Sequence, residues 1–122
     1  MIGYVTLGSN DIAKASAYYD ALLGELGARR LMDYGRFILW GTSMTSPAVA
    51  ICTPHNNDAA TVGNGVMVAL ACPTREDVDR LHAKALELGG TDEGKPGERG
   101  PHFYAGYFRD PDGNKLNFFK MG

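Results

Sequence analysis

The sequence predicts an α+β fold in which one strand-helix-strand-strand module is used twice. Three observations carry this. Two amphipathic helical stripes occur, one in each half of the chain, each preceded by one strand-like run and followed by a pair of them. Short identities recur about sixty residues apart: "ELGA" at 25–28 answers "ELGG" at 87–90, and "YVTL" at 4–7 answers "MVAL" at 67–70. Two copies at that spacing make a duplicated module rather than a solenoid, which needs three or more. A β-α-β-β unit exposes its sheet, so helices are expected to cover one sheet face and leave the other to curl around a ligand.

Each element has a local reason. "YVTL" opens the chain as a strand, and "SND" follows it. Ile12, Ala15, Tyr19, Leu22, Leu23 and Leu26 then fall on one helical face, with Asn10 or Asp11 able to cap the first turn and Gly27 to end it. "RFILWG" and "AVAIC" read as strands around the loop "TSMTSP". The stretch 55–64, polar and glycine-bearing, reads as a linker between module one (about 1–54) and module two (about 65–122) of a single domain. "VMVALAC" is the next strand, and the helix in "PTREDVDRLHAKALELGG" turns Val78, Leu81, Ala85 and Leu88 inward. Thr74 with Asp77 resembles a capping box, and Gly89-Gly90 supply the stop. "TDEGKPGERGP" is expected to be a loop.

The closing segment "FYAGYFRDPDGNKLNFF" is a hairpin whose turn fixes its register. In Asp110-Pro111-Asp112-Gly113-Asn114, proline suits the second position of a type I turn, and Gly113 accepts the left-handed conformation that follows. Asp110 then pairs with Asn114. Counting outward, Arg109 meets Lys115, Tyr107 meets Asn117 and Ala105 meets Phe119. Paired residues share a face. Tyr107, Arg109 and Asn117 are therefore expected on one side, with Phe108, Leu116 and Phe118 on the other against the helices.

Composition narrows the function. The chain has 122 residues, is 44% hydrophobic and 21% charged, and carries a net charge of -2, so it is neither disordered nor a basic platform for nucleic acid. Cys52 and Cys72, on separate strands, form neither a disulfide framework nor a zinc motif and read as small buried hydrophobes. No apolar run approaches the ~20 residues of a membrane span, and Met1-Ile2 leads directly into a strand rather than a cleavable signal. A cytoplasmic location is the expectation. "GNG" and "GERGP" do not follow a strand into a helix, so no phosphate loop is expected.

"VTLGSNDIAKASAYYDALLGELG", the helix end "ALELGG" and the hairpin "YAGYFRDPDGNKLNFF", in that order and spacing, resemble the vicinal oxygen chelate superfamily. That group includes glyoxalase I, bleomycin and fosfomycin resistance proteins and extradiol dioxygenases. The resemblance covers essentially the whole chain and implies a cupped mixed sheet with helices outside. In metal-dependent members a divalent ion such as Zn, Fe or Ni is held by histidines on first strands and glutamates on last strands. Carried over residue by residue, those positions hold Tyr4, Met67, Ala50 and Asn117 here. None is a good ligand for such an ion: a thioether or a methyl offers it little, an asparagine carbonyl is neutral, and a phenol must first lose its proton.

The remaining candidates are few. Tyr107 is a hydroxyl donor or weak acid, or a cross-strand packing ring. Arg109 serves a carboxylate or phosphate on a ligand, or a local acid such as Asp110 or Asp112. His102 in "ERGPHFY" is a general-base candidate or an exposed loop residue, His55 a surface residue and His82 a structural one. Trp40, the only tryptophan, is core or pocket wall, and Glu98-Arg99 is a lid or solvated charge. The reading that follows is a metal-free protein binding a small aromatic or amphiphilic molecule through Tyr4, Trp40, Met67, Tyr107, Arg109 and Asn117, as the bleomycin resistance members do, and acting as a homodimer. The alternative is a metal-dependent lyase, isomerase or dioxygenase of the glyoxalase I type.

Overall fold

A computed structural model describes all 122 residues, which divide into two compact units, Met1–Val62 and Gly63–Gly122. The division falls inside the polar stretch 55–64.

Module one runs β1 (Tyr4–Gly8), α1 (Ile12–Gly24), β2 (Arg29–Asp33), β3 (Phe37–Gly41) and β4 (Ala48–Cys52). Its sheet has the order β1-β4-β3-β2, with β1 parallel to β4 and the other pairs antiparallel. Asp11 is the N-cap of α1, its side chain accepting from the Lys14 amide. Strand alternation gives the sheet two faces. Leu7, Ile38, Trp40, Val49 and Ile51 share the face toward α1 and are buried with Tyr19, Leu22 and Leu23. Tyr4, Ala48, Ala50, Phe37 and Leu39 share the face that has no helix on it.

Module two repeats the plan: β5 (Val68–Ala71), α2 (Arg75–Glu87), β6 (Thr91–Glu98), β7 (Phe103–Arg109) and β8 (Lys115–Met121), in the order β5-β8-β7-β6. Thr74 caps α2, its hydroxyl accepting the Asp77 amide at 3.1 Å. The hairpin register is the one the turn dictates, with Arg109 opposite Lys115, Tyr107 opposite Asn117 and Ala105 opposite Phe119. The Asp110 amide donates to the Asn114 carbonyl at 2.9 Å, and Gly113 takes a φ of 92°. Phe108, Leu116 and Phe118 are fully buried on the α2 side, where the rings of Phe108 and Phe118 stack at 5.3 Å.

Each module has one strand more than expected. β2 was hidden by its charged residues, and β6 by a glycine- and proline-bearing sequence that read as a loop. Both are edge strands, the position in which charge, proline and irregular pairing are tolerated. Register shifts in β6 at Asp92/Gly94 and Gly94/Gly97 erase the alternation that would have marked it. Glu98 and Arg99 accordingly belong to the end of a strand and the turn into β7. They form no lid.

Both cysteines are free thiols; Cys52 is half-buried and Cys72 buried. Burial pushes the Cys72 thiol up to about 11. An unfolded thiol ionises near 8.5, so the stability linked to Cys72 is complete below that pH and is lost as pH rises toward the folded value. Cys72→Ala should therefore flatten the fall in unfolding free energy between about pH 8.5 and 11, as read by urea denaturation.

Candidate functional site

The helix-free face of module one is apolar. Leu39, Ala48 and Ala50 form a buried cluster with Leu31, Met32 and Phe37 packed against it. Above it lies a hollow of about 390 Å³ lined by Gly3, Tyr4, Leu31, Met32, Tyr34, Phe37, Leu39, Ser43, Met44, Ser46 and Ala48. That volume lies within the range of small-molecule sites. No lining residue is charged. Tyr4 stands edge-on to Phe37 at 6.0 Å and is 58% exposed, so a broad aromatic surface faces the opening. Ser43 donates to the Ser46 hydroxyl at 2.9 Å, which ties down the loop that carries Met44. A Cβ at Gly41 would meet the tip of the Leu31 side chain at 2.8 Å and the Ala48 Cβ at 3.3 Å, so the Leu31 side chain would have to shift.

Trp40 is on the opposite face. Its ring packs at 5.7 Å from Tyr19 of α1, its Nε1 donates to Asp20 at 2.9 Å, and the Arg30 guanidinium lies over it at 5.8 Å. The Arg30 hydrogen bond holds the Asp20 carboxyl below its usual range, helped by the Trp40 indole N–H. Of the two expectations for Trp40, core and pocket wall, the structure takes core. Met44 was missed as a lining residue because it lies in the segment read as a loop, and Met32 and Tyr34 because the stretch 28–35 was assigned no element.

On the helix-free face of module two, Tyr107 lies between two cations, with Arg99 and Lys115 each 5.5 Å from its ring centre. Arg109 is held by an acid, as one expectation had it, but by Glu93 at 2.6 Å rather than by Asp110 or Asp112. Asn117, beside Tyr107, is 1% exposed, and its Oδ1 has no hydrogen-bond partner. Tyr104 projects the other way and donates to Asp79 at 2.6 Å, which raises its phenol. Met67 precedes β5 and is exposed.

The histidines divide by position. His102 is exposed in the turn before β7 with a φ of 62°, and its carbonyl accepts the Gly122 amide; no acidic side chain orients its ring. His55 is exposed past the end of β4. His82 is buried on α2, with Nε2 3.1 Å from Asp92 and 3.0 Å from the Tyr107 carbonyl. It fastens β6 and β7 to the helix. A Cβ at Gly106 would lie 3.0 Å from its ring, so the close approach depends on that glycine. His82→Leu takes the Nε2 donor from the Tyr107 carbonyl, while Asp92 keeps the Gly94 amide, and should cost about 1–3 kcal/mol in a denaturant titration.

An α+β chain of two strand-helix-three-strand modules, each open on one sheet face, defines the class to which known proteins can be compared. Residues 1–118 match the family model described as Glyoxalase/Bleomycin resistance protein/Dioxygenase superfamily. A glyoxalase/bleomycin resistance protein from Albidiferax ferrireducens T118 is 36% identical, superposes with a TM-score of 0.91, and is matched over 100% of this chain and 99% of that one. A putative glyoxalase from Bacillus halodurans (24% identity, TM-score 0.79, 98% and 94% covered) and a lactoylglutathione lyase from Agrobacterium tumefaciens (17%, 0.71, 98% and 92%) share the fold. No curated protein matches. The chain belongs to the glyoxalase/bleomycin resistance/dioxygenase superfamily.

The side chains that the sequence resemblance carries to metal positions, taken one by one, do not suit an ion. Ala50 has no donor atom and is fully buried, Met67 offers a thioether, Tyr4 a phenol turned against Phe37, and Asn117 a neutral carbonyl. No group of three or more histidine, cysteine, aspartate or glutamate side chains is placed to hold an ion. No helix is long and apolar enough to cross a membrane.

Proposed function

We infer that the protein binds a small, uncharged aromatic or amphiphilic molecule in the hollow of module one, without a metal ion. The observation that carries this is the lining. At the place where the superfamily has a metal donor, this chain has Tyr4 at the mouth of an apolar hollow of about 390 Å³ with no charged side chain. Such walls attract flat apolar ligands by burial at roughly 25 cal/mol per Å², while an ion would lose its hydration without a partner. Met32 and Met44 add adaptable, polarizable contacts to an aromatic ring. The alternative, a metal-dependent lyase, isomerase or dioxygenase, needs donors that these positions lack.

The test is a fluorescence titration with N-phenyl-1-naphthylamine, a neutral apolar probe. Saturable binding is expected, weakened at least tenfold by Ala48→Phe, which fills the hollow, and reduced by Met32→Ala. Equal affinity in the wild type and in a folded Ala48→Phe variant would remove the proposal.

We also propose a homodimer working in a reducing cytoplasm. Its support is the free cysteines and the large apolar residues exposed along the β1 edge (Met1, Ile2, Tyr4) and ahead of the β5 edge (Val66, Met67). Light scattering at micromolar concentration should give twice the mass of the 13.1 kDa chain; a monomer would contradict the proposal.

A further inference from the structure

We propose that Arg99, Tyr107 and Lys115 form a recognition site for an oxyanion, a carboxylate or phosphate group on a small molecule, on the helix-free face of module two. The inference rests on module two alone and stands apart from the hollow of module one.

Charge balance is the first argument. Five cations of the chain meet carboxylates: Arg30 meets Asp20 and Asp33, Arg75 meets Glu98, Arg80 meets Asp77, Lys84 meets Glu87, and Arg109 meets Glu93. Arg29, Arg36 and Lys120 meet backbone carbonyls instead. Lys115 meets only the Tyr107 ring, and Arg99 only that ring and the Lys95 carbonyl. Lys115 also stands directly opposite Arg109 in the hairpin, a like-charge pairing that destabilises a sheet unless something offsets it. Glu93 offsets Arg109 alone. Three cations therefore share one carboxylate around Tyr107, in a chain whose net charge is -2. A bound anion supplies the missing charge.

The second argument is construction. A Cβ at Gly97 would lie 3.0 Å from Arg99 Nη1, and one at Gly94 would lie 3.4 Å from Nη2 and 3.3 Å from the Tyr107 ring. The two glycines of β6 thus leave the space in which the guanidinium lies against Tyr107. Arg99 presents planar paired donors suited to an oxyanion, Lys115 a point charge, and the Tyr107 hydroxyl, which has no protein partner, a third donor.

The third argument is Asn117. It is the cross-strand partner of Tyr107, so the two side chains stand about 5 Å apart on one face. Its buried Oδ1 accepts no hydrogen bond from the protein. A ligand that places an O–H or N–H beside its oxyanion satisfies that atom, and one without such a donor does not. The class is therefore a small hydroxy or amino acid, or a phosphate ester with a neighbouring hydroxyl.

The experiment follows Tyr107 and Lys115 resonances by NMR at constant ionic strength while glycolate, acetate, inorganic phosphate or chloride is added. Phosphate and glycolate should bind saturably, the tighter of the two identifying the group. Arg99→Gln and Lys115→Gln, both at side chains outside the core, should each weaken binding tenfold or more, and Lys84→Gln should leave it unchanged. Glycolate should bind more tightly than acetate, and the difference should vanish in Asn117→Leu. Shifts matched by chloride, or affinities unchanged in both cation variants, overturn the proposal. Equal binding of glycolate and acetate overturns the contact assigned to Asn117.

Discussion

Trp40→Ala is expected to remove about 3–5 kcal/mol from the stability of the fold, the cost of deleting a large buried aromatic. Trp40 is 1% exposed and is the largest fully buried side chain. It fills the space between β3 and α1, and its loss also frees Asp20 from the indole N–H. Whole domains retain only about 5–15 kcal/mol, so module one should be largely unfolded at moderate urea. Two comparisons separate burial from the hydrogen bond. Trp40→Phe keeps most of the ring contact and should lose about 1–2 kcal/mol. Tyr34→Ala, at a residue 71% exposed on the rim of the hollow, should change stability by less than about 0.5 kcal/mol. Denaturation midpoints that rank the variants otherwise would contradict the placement of Trp40 in the core and Tyr34 at the site.

The second large effect concerns Asn117. Asn117→Asp keeps the shape but puts a carboxylate on the face that Arg99, Lys115 and Arg109 share around Tyr107. If those cations hold an oxyanion there, the new carboxylate takes its place, and glycolate and phosphate binding should fall tenfold or more. The sign with pH follows: cations hold the folded carboxyl below the unfolded value near 3.9, so the stability they add is complete above that pH and is lost as pH falls through the folded value. The variant should therefore match or exceed wild-type stability at pH 7 and lose that advantage in acid. Asn117→Leu removes the orphaned acceptor and should be neutral or gain about 1 kcal/mol. An Asn117→Asp variant destabilised at pH 7 and restored in acid would show that desolvation outweighs those cations and would count against the oxyanion site.

Much of module two was legible because its signals are local. The turn Asp110–Asn114 determines the hairpin register, and with it the face of every residue from Phe103 to Phe119. The capping of α2 by Thr74 was equally plain, since it needs only a spacing of three. β2 and β6 escaped because edge strands need not alternate, and β6 carries glycines and a proline for reasons visible only in three dimensions: Gly94 and Gly97 make room for Arg99. The partner of Arg109 escaped for the same reason, Glu93 being sixteen residues away on a strand that had read as loop. The pairing of Arg109 with Lys115 was counted from the same turn. The hollow could not be read that way, because Met32, Tyr34 and Met44 come together only through the packing of β2 and the loop before β4.

Under the metal-free reading proposed above, a ligand-type side chain at Ala50 would enter a fully buried position already packed by Leu39 and Ala48. Ala50→Glu is therefore expected to destabilise module one without creating a metal site.

Elemental analysis of the protein, purified without chelator and desalted after incubation with Zn²⁺, Ni²⁺ or Fe²⁺, tests the central claim most directly when paired with the naphthylamine titration. The account predicts far less than one ion per chain and the same probe affinity with or without EDTA. One ion retained per chain, lost on Asn117→Ala together with probe binding, would contradict it.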